Sequence, residues 1–169
     1  MTHLQLFLDS LRHPKKLAAY RILSIGKLFQ YVFLLITIVT IFSFGQFYRG
    51  LSDELFQMEG LSDYITSVQW LVYPSAFLLL FVVTTALMML RISIYAGVGL
   101  LFVQAMNRRG EYRHIWRTAA LANTWSALLT IVFTILFIPT IVSTIISIAV
   151  TMTILIMALT RYPKKPVKK

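Results

Sequence analysis

Residues 70–106 read WLVYPSAFLLLFVVTTALMMLRISIYAGVGLLFVQAM, and along that whole stretch there is a single formal charge, Arg91. Water cannot be the solvent for most of such a segment. A helix needs ~20 apolar residues to cross a hydrocarbon layer ~30 Å thick, because each residue adds ~1.5 Å. This run is longer than one crossing requires. It stops abruptly in NRRGEYRHIWR, residues 107–117, where Arg108, Arg109, Arg113 and Arg117 are opposed only by Glu111. A cationic cluster beside an apolar run marks a cytoplasmic loop, since positive residues concentrate on the inner side of a membrane.

The remainder of the chain has the same character. Its hydrophobic share of 58% and mean hydropathy of +0.76 set it apart from soluble domains and point to a single membrane domain. The net charge of +10 does not point to nucleic acid. That use needs cations spread over a folded soluble surface, whereas here they lie between apolar runs, so anionic lipids of the inner leaflet are the expected partner. The absence of cysteine excludes disulfides, thiolate metal sites and thiol nucleophiles. The first apolar run is too long for the core of a cleaved signal, so the first helix is expected to stay.

Taken in order, residues 1–27 form a cytoplasmic lead-in. Leu4, Phe7, Leu8 and Leu11 have the spacing of one helical face, which predicts a short amphipathic helix lying on the membrane and broken at Pro14. Arg12, Lys15, Lys16, Arg21 and Lys27 precede the first crossing, 28–48. An external, net-negative segment follows at 49–69, where Ser52 and Ser62 are placed to cap one or two short helices. The second crossing is 70–91, with Pro74 in its first turn. Residues 92–106 are left as a re-entrant segment, an interfacial segment or an extension of the helix. The basic loop 107–117 leads to crossings at 118–138 and 140–160, joined tightly at Pro139, and to a basic tail, 161–169, expected to be unstructured. The fold class is therefore an all-α integral membrane protein with four transmembrane helices, an N-terminal amphipathic helix and both termini cytoplasmic.

Candidate sites are few. Arg91 either ends its helix and reaches lipid phosphate, or faces the bundle interior and reads an anion. With no carboxylate in the crossings to pair it, lipid phosphate or backbone carbonyls are its expected partners. Arg108, Arg109, Arg113 and Arg117 are expected to contact lipid or a partner protein. Ser126, Thr130 and Thr134, then Ser143, Ser147 and Thr151, recur every fourth residue and predict two small-residue stripes for helix packing, with a polar path as the alternative. Asn123 is expected to make a helix–helix hydrogen bond, and Gly97 and Gly99 to serve a bend or a close contact. His3, His13 and His114 lack ligand spacing, so no metal or cofactor is expected. The outer carboxylates Asp53, Glu54, Glu59 and Asp63 match no calcium loop and read as solvated surface. The crossings hold no Asp, Glu, His or Lys, which argues against proton relays and acid–base catalysis there.

The lead-in pattern, carried by Phe7, Ser10, Leu11, Pro14 and Lys15 and then by Arg21, Ile25, Gly26, Lys27 and Tyr31 to Leu35, resembles an uncharacterised family of Gram-positive bacterial integral membrane proteins. Tyr112 to Ala122, with Trp116 and Arg117, is similar to that family's second half. Some of its members are labelled maltodextrin-utilisation membrane proteins. The resemblance implies a bacterial plasma membrane and a link to sugar uptake, and it supplies no catalytic or binding residue. The segment 49–69 is shorter than its counterpart in the family. Together these readings predict a non-enzymatic accessory or regulatory partner of another membrane system, in contact with a second membrane protein or with copies of itself. The rival is a small carrier or channel with its path between the last two helices.

Overall fold

Nothing in residues 92–106 breaks a helix apart from the tolerance of two glycines, and the chain accordingly stays helical until Asn107. The computed structural model describes residues 3–55 and 62–164. Their order is α1 (His3–Arg12), a 3₁₀ helix (Pro14–Ile22), α2 (Ile25–Leu55), α3 (Ser62–Ala105), α4 (Tyr112–Ile135) and α5 (Thr140–Leu159). No strand occurs among the described residues, and α2 to α5 each contain a span long and apolar enough to cross a membrane. The side chains of Asp53, Glu54, Glu59 and Asp63 lie outside the described part.

Three details differ from the reading by hydropathy, because hydropathy marks where a helix is apolar and not where it stops. Of the three options for 92–106, the structure takes the helix extension, and Arg91 is interior to α3 instead of closing it. The short helices expected in 49–69 are the ends of longer ones, since α2 continues to Leu55 and α3 already starts at Ser62. Pro74 is therefore inside α3, not in its first turn. It removes one backbone donor without ending the helix, a cost that apolar helices in membranes absorb.

The helix ends have a clear chemical cause. At the end of α3, Asn107 takes φ 52°, its N–H reaches Gln104 O at 3.0 Å, and Arg108 N–H reaches Val103 O at 3.0 Å. That pair of bonds is the Schellman closure, which satisfies the orphan carbonyls and needs one left-handed residue; Asn tolerates the position. The end of α4 repeats it with Phe137 at φ 54°, Phe137 N–H on Thr134 O (3.2 Å) and Ile138 N–H on Phe133 O (3.0 Å). Pro139 follows and turns the chain directly into α5.

The chain divides into two compact units, Met1–Phe33 with Met89–Lys169, and Leu34–Met88. In the second, the partner segments of α2 and α3 meet through aromatic rings: Phe44 stands edge-on to Phe77 at 5.5 Å and to Tyr73 at 6.5 Å, and Tyr48 lies 5.4 Å from Tyr73. Offset and edge contacts of this kind add roughly 0.5–1.5 kcal/mol each beyond area. Leu78, Leu79, Val82 and Leu87 are exposed, as two helices apolar around their whole circumference cannot cover one another.

In the first unit α4 and α5 form an antiparallel hairpin around which the other segments pack. Gly99 of α3 is the close contact: a Cβ there would meet Ile115 Cγ2 at 2.9 Å, Leu159 Cδ1 at 3.3 Å and Leu155 Cδ2 at 3.4 Å, whereas Gly97 has open space. Phe29 of α2 packs against Trp116 (5.6 Å), and Tyr31 shares a 2.7 Å hydrogen bond with Thr124. The α1 helix sits on α4 through Leu6 and Ser10, both buried, with Trp125 Nε1 donating to Ser10 O at 3.2 Å. Its apolar stripe is thus not what holds it to the protein, and Leu4 and Leu8 stay exposed on the other side. Asp9 ties α1 to the following 3₁₀ helix by accepting from Tyr20 OH at 2.5 Å and pairing with Lys16 at 3.4 Å.

Two expected outcomes follow from these contacts. Replacing Asn107 by Val, β-branched and ill suited to positive φ, is expected to lower unfolding stability by ~1–2 kcal/mol, while Phe137→Gly leaves it unchanged or raises it; chemical denaturation in detergent measures both. The tie at Asp9 gives a pH window. Burial, and then the bond to Asp9, push the Tyr20 phenol up to about 12. A raised folded value means this contribution is complete below the ordinary ~10 and fades as pH climbs towards 12. The Tyr20 hydrogen bond is the main reason the Asp9 carboxyl falls below its ordinary value, so that contribution fades in acid as pH drops through the lowered value. Tyr20→Phe should flatten the alkaline loss of stability; superimposable curves above pH 10 would show that the tie does not matter.

Candidate functional site: a basic cleft beside α4 and α5

Tyr162, two residues beyond the α5 C-cap, is where the site begins. It is buried, and its hydroxyl is 2.7 Å from Thr118 Oγ1 and donates to His114 O at 3.1 Å. Burial pushes the phenol upward from its ordinary pKa, so the hydroxyl keeps its proton as a donor. The ring carries the Arg21 guanidinium at 5.4 Å from its centroid, a cation–π contact worth roughly 0.5–2 kcal/mol. Arg117 Nη1 donates to Arg21 O at 2.8 Å, and Arg108 Nη1 to Tyr162 O at 2.5 Å. An isolated antiparallel bridge joins Arg108 to Lys164, and Arg109 N–H donates to Pro163 O at 2.8 Å. Residues 161–164, expected to be unstructured, are therefore held by backbone bonds to the loop after α3.

Around this anchor two clefts open side by side. One, of about 310 Å³, is lined by Arg21, Ile22, Arg109, Gly110, Glu111, His114, Tyr162 and Pro163. Its neighbour, of about 490 Å³, is lined by Lys16, Ala18, Ala19, Arg21, Ile22 and Arg161. Arg21 and Ile22 belong to both. Among the described side chains the carboxylates near these cations are already engaged: Asp9 with Tyr20 and Lys16, and Glu111 with Arg113 at 2.6 Å. Arg21, Arg109 and Arg161 have no ion-pair partner among the described residues. Glu111 is also the N-cap of α4, yet its side chain makes no capping bond, so the first-turn donors of α4 are left without that partner.

The arginines expected to act together have different neighbours. Arg109 lines the cleft. Arg108 and Arg117 are spent on backbone carbonyls, with Arg117 Nε buried and unpaired, and Arg113 is held by Glu111 on the exposed surface. Arg91, half-buried, donates through Nη1 to Ser126 Oγ at 3.0 Å, a hydroxyl partner that the sequence reading had not named. The Tyr95 hydroxyl and Asn123 Oδ1 are buried without a hydrogen-bond partner.

The hydroxyl stripes divide. Ser126, Ser147 and Thr151 are buried, Ser143 is half-buried, and Thr130 and Thr134 are exposed within the chain. Thr130, Thr134 and Thr151 donate to the carbonyl four residues earlier, and Ser143 to Thr140 O. Such back-bonding satisfies a hydroxyl inside its own helix. Among the described residues no group of His, Asp and Glu could hold a metal ion. Sequence reading missed Arg21, Arg161 and Tyr162 as a set. Their charges were legible, but nothing in the local pattern shows that a tyrosine after α5 will stack under an arginine before α2.

No curated protein and no solved structure matches the chain. A family model described as protein of unknown function (DUF1189) matches residues 47–159, from within α2 to the end of α5. With most of its length inside that match, the chain belongs to the DUF1189 family, whose function is unknown.

Proposed function

We propose that the protein is a non-enzymatic, multi-pass component of a bacterial plasma membrane, with both termini cytoplasmic, acting as an accessory or regulatory subunit of another membrane system. The observation that carries this reading is the gathering of cations, at Lys16, Arg21, Arg109, Arg161 and Lys164, around one end of the α4–α5 hairpin. Helices of 24 and 20 residues suit a ~30 Å layer, and the positive-inside preference supports a cytoplasmic position for that end. The exposed Leu4 and Leu8 of α1 suit burial at the lipid interface. The crossings 28–48, 70–91, 118–138 and 140–160 lack Asp, Glu, His and Lys, which favours a binding role over acid–base chemistry. Sugar uptake is the system suggested by the resemblance of the lead-in, and anionic lipid, a second membrane protein or another copy are the partners that fit.

Two measurements test this. Because the chain has no cysteine, single cysteines report sidedness cleanly. On intact cells an impermeant thiol reagent is expected to label position 58 and to spare 111 and 166; labelling at 111 overturns the orientation. Purification in mild detergent is expected to bring down a reproducible membrane companion, and recovery of the chain alone argues against the accessory role.

A second reading, a small carrier, is favoured by one specific group: Arg91 turned onto Ser126, together with the unpaired polar atoms of Tyr95 and Asn123. Solute flux in liposomes that vanishes in Arg91→Ala and survives Arg161→Ala would support it, and absence of flux for any small anion would remove it.

A further inference from the structure

We propose that the paired basic clefts bind the phosphate group of an anionic phospholipid, with Arg21 as the central contact. This deepens the reading above, from which it takes only that the cationic end lies at the inner leaflet. Arg21 is common to both clefts and has its guanidinium placed by the Tyr162 ring. A cation–π contact pairs the guanidinium with no acceptor atom, so its N–H fork can still take two phosphate oxygens at once. Tyr162 in turn is held by Thr118 and His114, so the fork is positioned before any ligand arrives. Preorganisation of this kind lowers the ordering cost of binding.

The other walls agree. Arg109 lines the smaller cleft and Arg161 the larger, neither with a carboxylate partner among the described residues, and the loop before α4 and its first turn line the smaller cleft through Gly110, Glu111 and His114. Arg21 shares one cleft with Arg109 and the other with Arg161, and an anion bound there offsets the repulsion between like charges. Each cleft falls within the ~300–1,000 Å³ typical of small-ligand sites. What favours a lipid over free phosphate is apolar: Ile22 lines both clefts and is 80% exposed, and Ile25 close by is 54% exposed. Isoleucines in water beside a phosphate site are a loss, whereas against the glycerol and upper acyl carbons of a lipid they are covered.

The test uses the full chain, stripped of lipid in neutral detergent, where sidedness and protein companions play no part, so the proposal fails or survives separately from the accessory role. Native mass spectrometry follows titration with short-chain phosphatidylglycerol, with phosphatidylcholine and with inorganic phosphate. Saturable binding of phosphatidylglycerol is expected, weakened at least about tenfold in Arg109→Gln/Arg161→Gln, as charge-assisted contacts of this type are worth about that much. Arg12→Gln, an exposed residue that lines neither cleft, is expected to change it less than twofold. Arg21→Lys keeps the charge and loses the fork, and a weakening there supports the stacked geometry. Should the double variant lose its helical circular dichroism, Arg161→Gln alone serves, since its side chain is exposed. Equal loss in Arg12→Gln, no loss in the cleft variants, or equal affinity for phosphatidylcholine overturns the site. Saturation by inorganic phosphate without binding of phosphatidylglycerol overturns the lipid as its source.

Discussion

The Tyr162 hydroxyl, shared between Thr118 and the His114 carbonyl, is the interaction on which the first unit depends. It closes the space after α5 against the first turns of α4, and the same ring gives Arg21 its seat. Arg117 and Arg108 then cap the carbonyls of Arg21 and Tyr162. In this way the lead-in, the loop after α3 and the residues after α5 are bound into one structure by polar contacts, at the end where apolar packing by α4 and α5 runs out. A side chain there with a face, an edge and a hydroxyl serves better than another leucine, because all three kinds of neighbour have to be satisfied together.

Away from that end the balance is different. Leu28, Ile36, Ile92, Leu121 and Leu155 are fully buried, yet α2, α3 and α5 carry many exposed large apolar residues. Helices in lipid gain little by hiding such residues from one another, and association rests on close packing and hydrogen bonds. Gly99 against Ile115, and the buried hydroxyls of Thr118, Thr124 and Ser126, are contacts of that kind. Arg91 fits the same rule, since a cation in an apolar span needs a polar partner, and Ser126 is within its reach.

Much of this was legible in advance. Four apolar spans, the break at Pro14 and the turn at Pro139 follow from hydropathy and proline stereochemistry. The termination of α3 after residue 105 was open, since it depends on Asn107 adopting a left-handed conformation, which asparagine permits without enforcing. The α1 helix was recognisable from its stripe, but the face that meets the protein is the one bearing Leu6 and Ser10. An amphipathic pattern identifies the apolar side, and in a chain surrounded by lipid that side need not be the one turned inward. The DUF1189 match begins at residue 47, so the lead-in that supplies Lys16 and Arg21 to the clefts lies ahead of it.

By itself the sequence determined the solvent: runs of ~20 residues without charge point to an all-α class, because an unpaired backbone is too costly in hydrocarbon. Which cations share a site was decided by tertiary structure alone. Arg21, Arg109, Arg161 and Tyr162 come from three distant segments, and only the closure of α4 on α5 sets the distances at which stacking and Coulomb forces act.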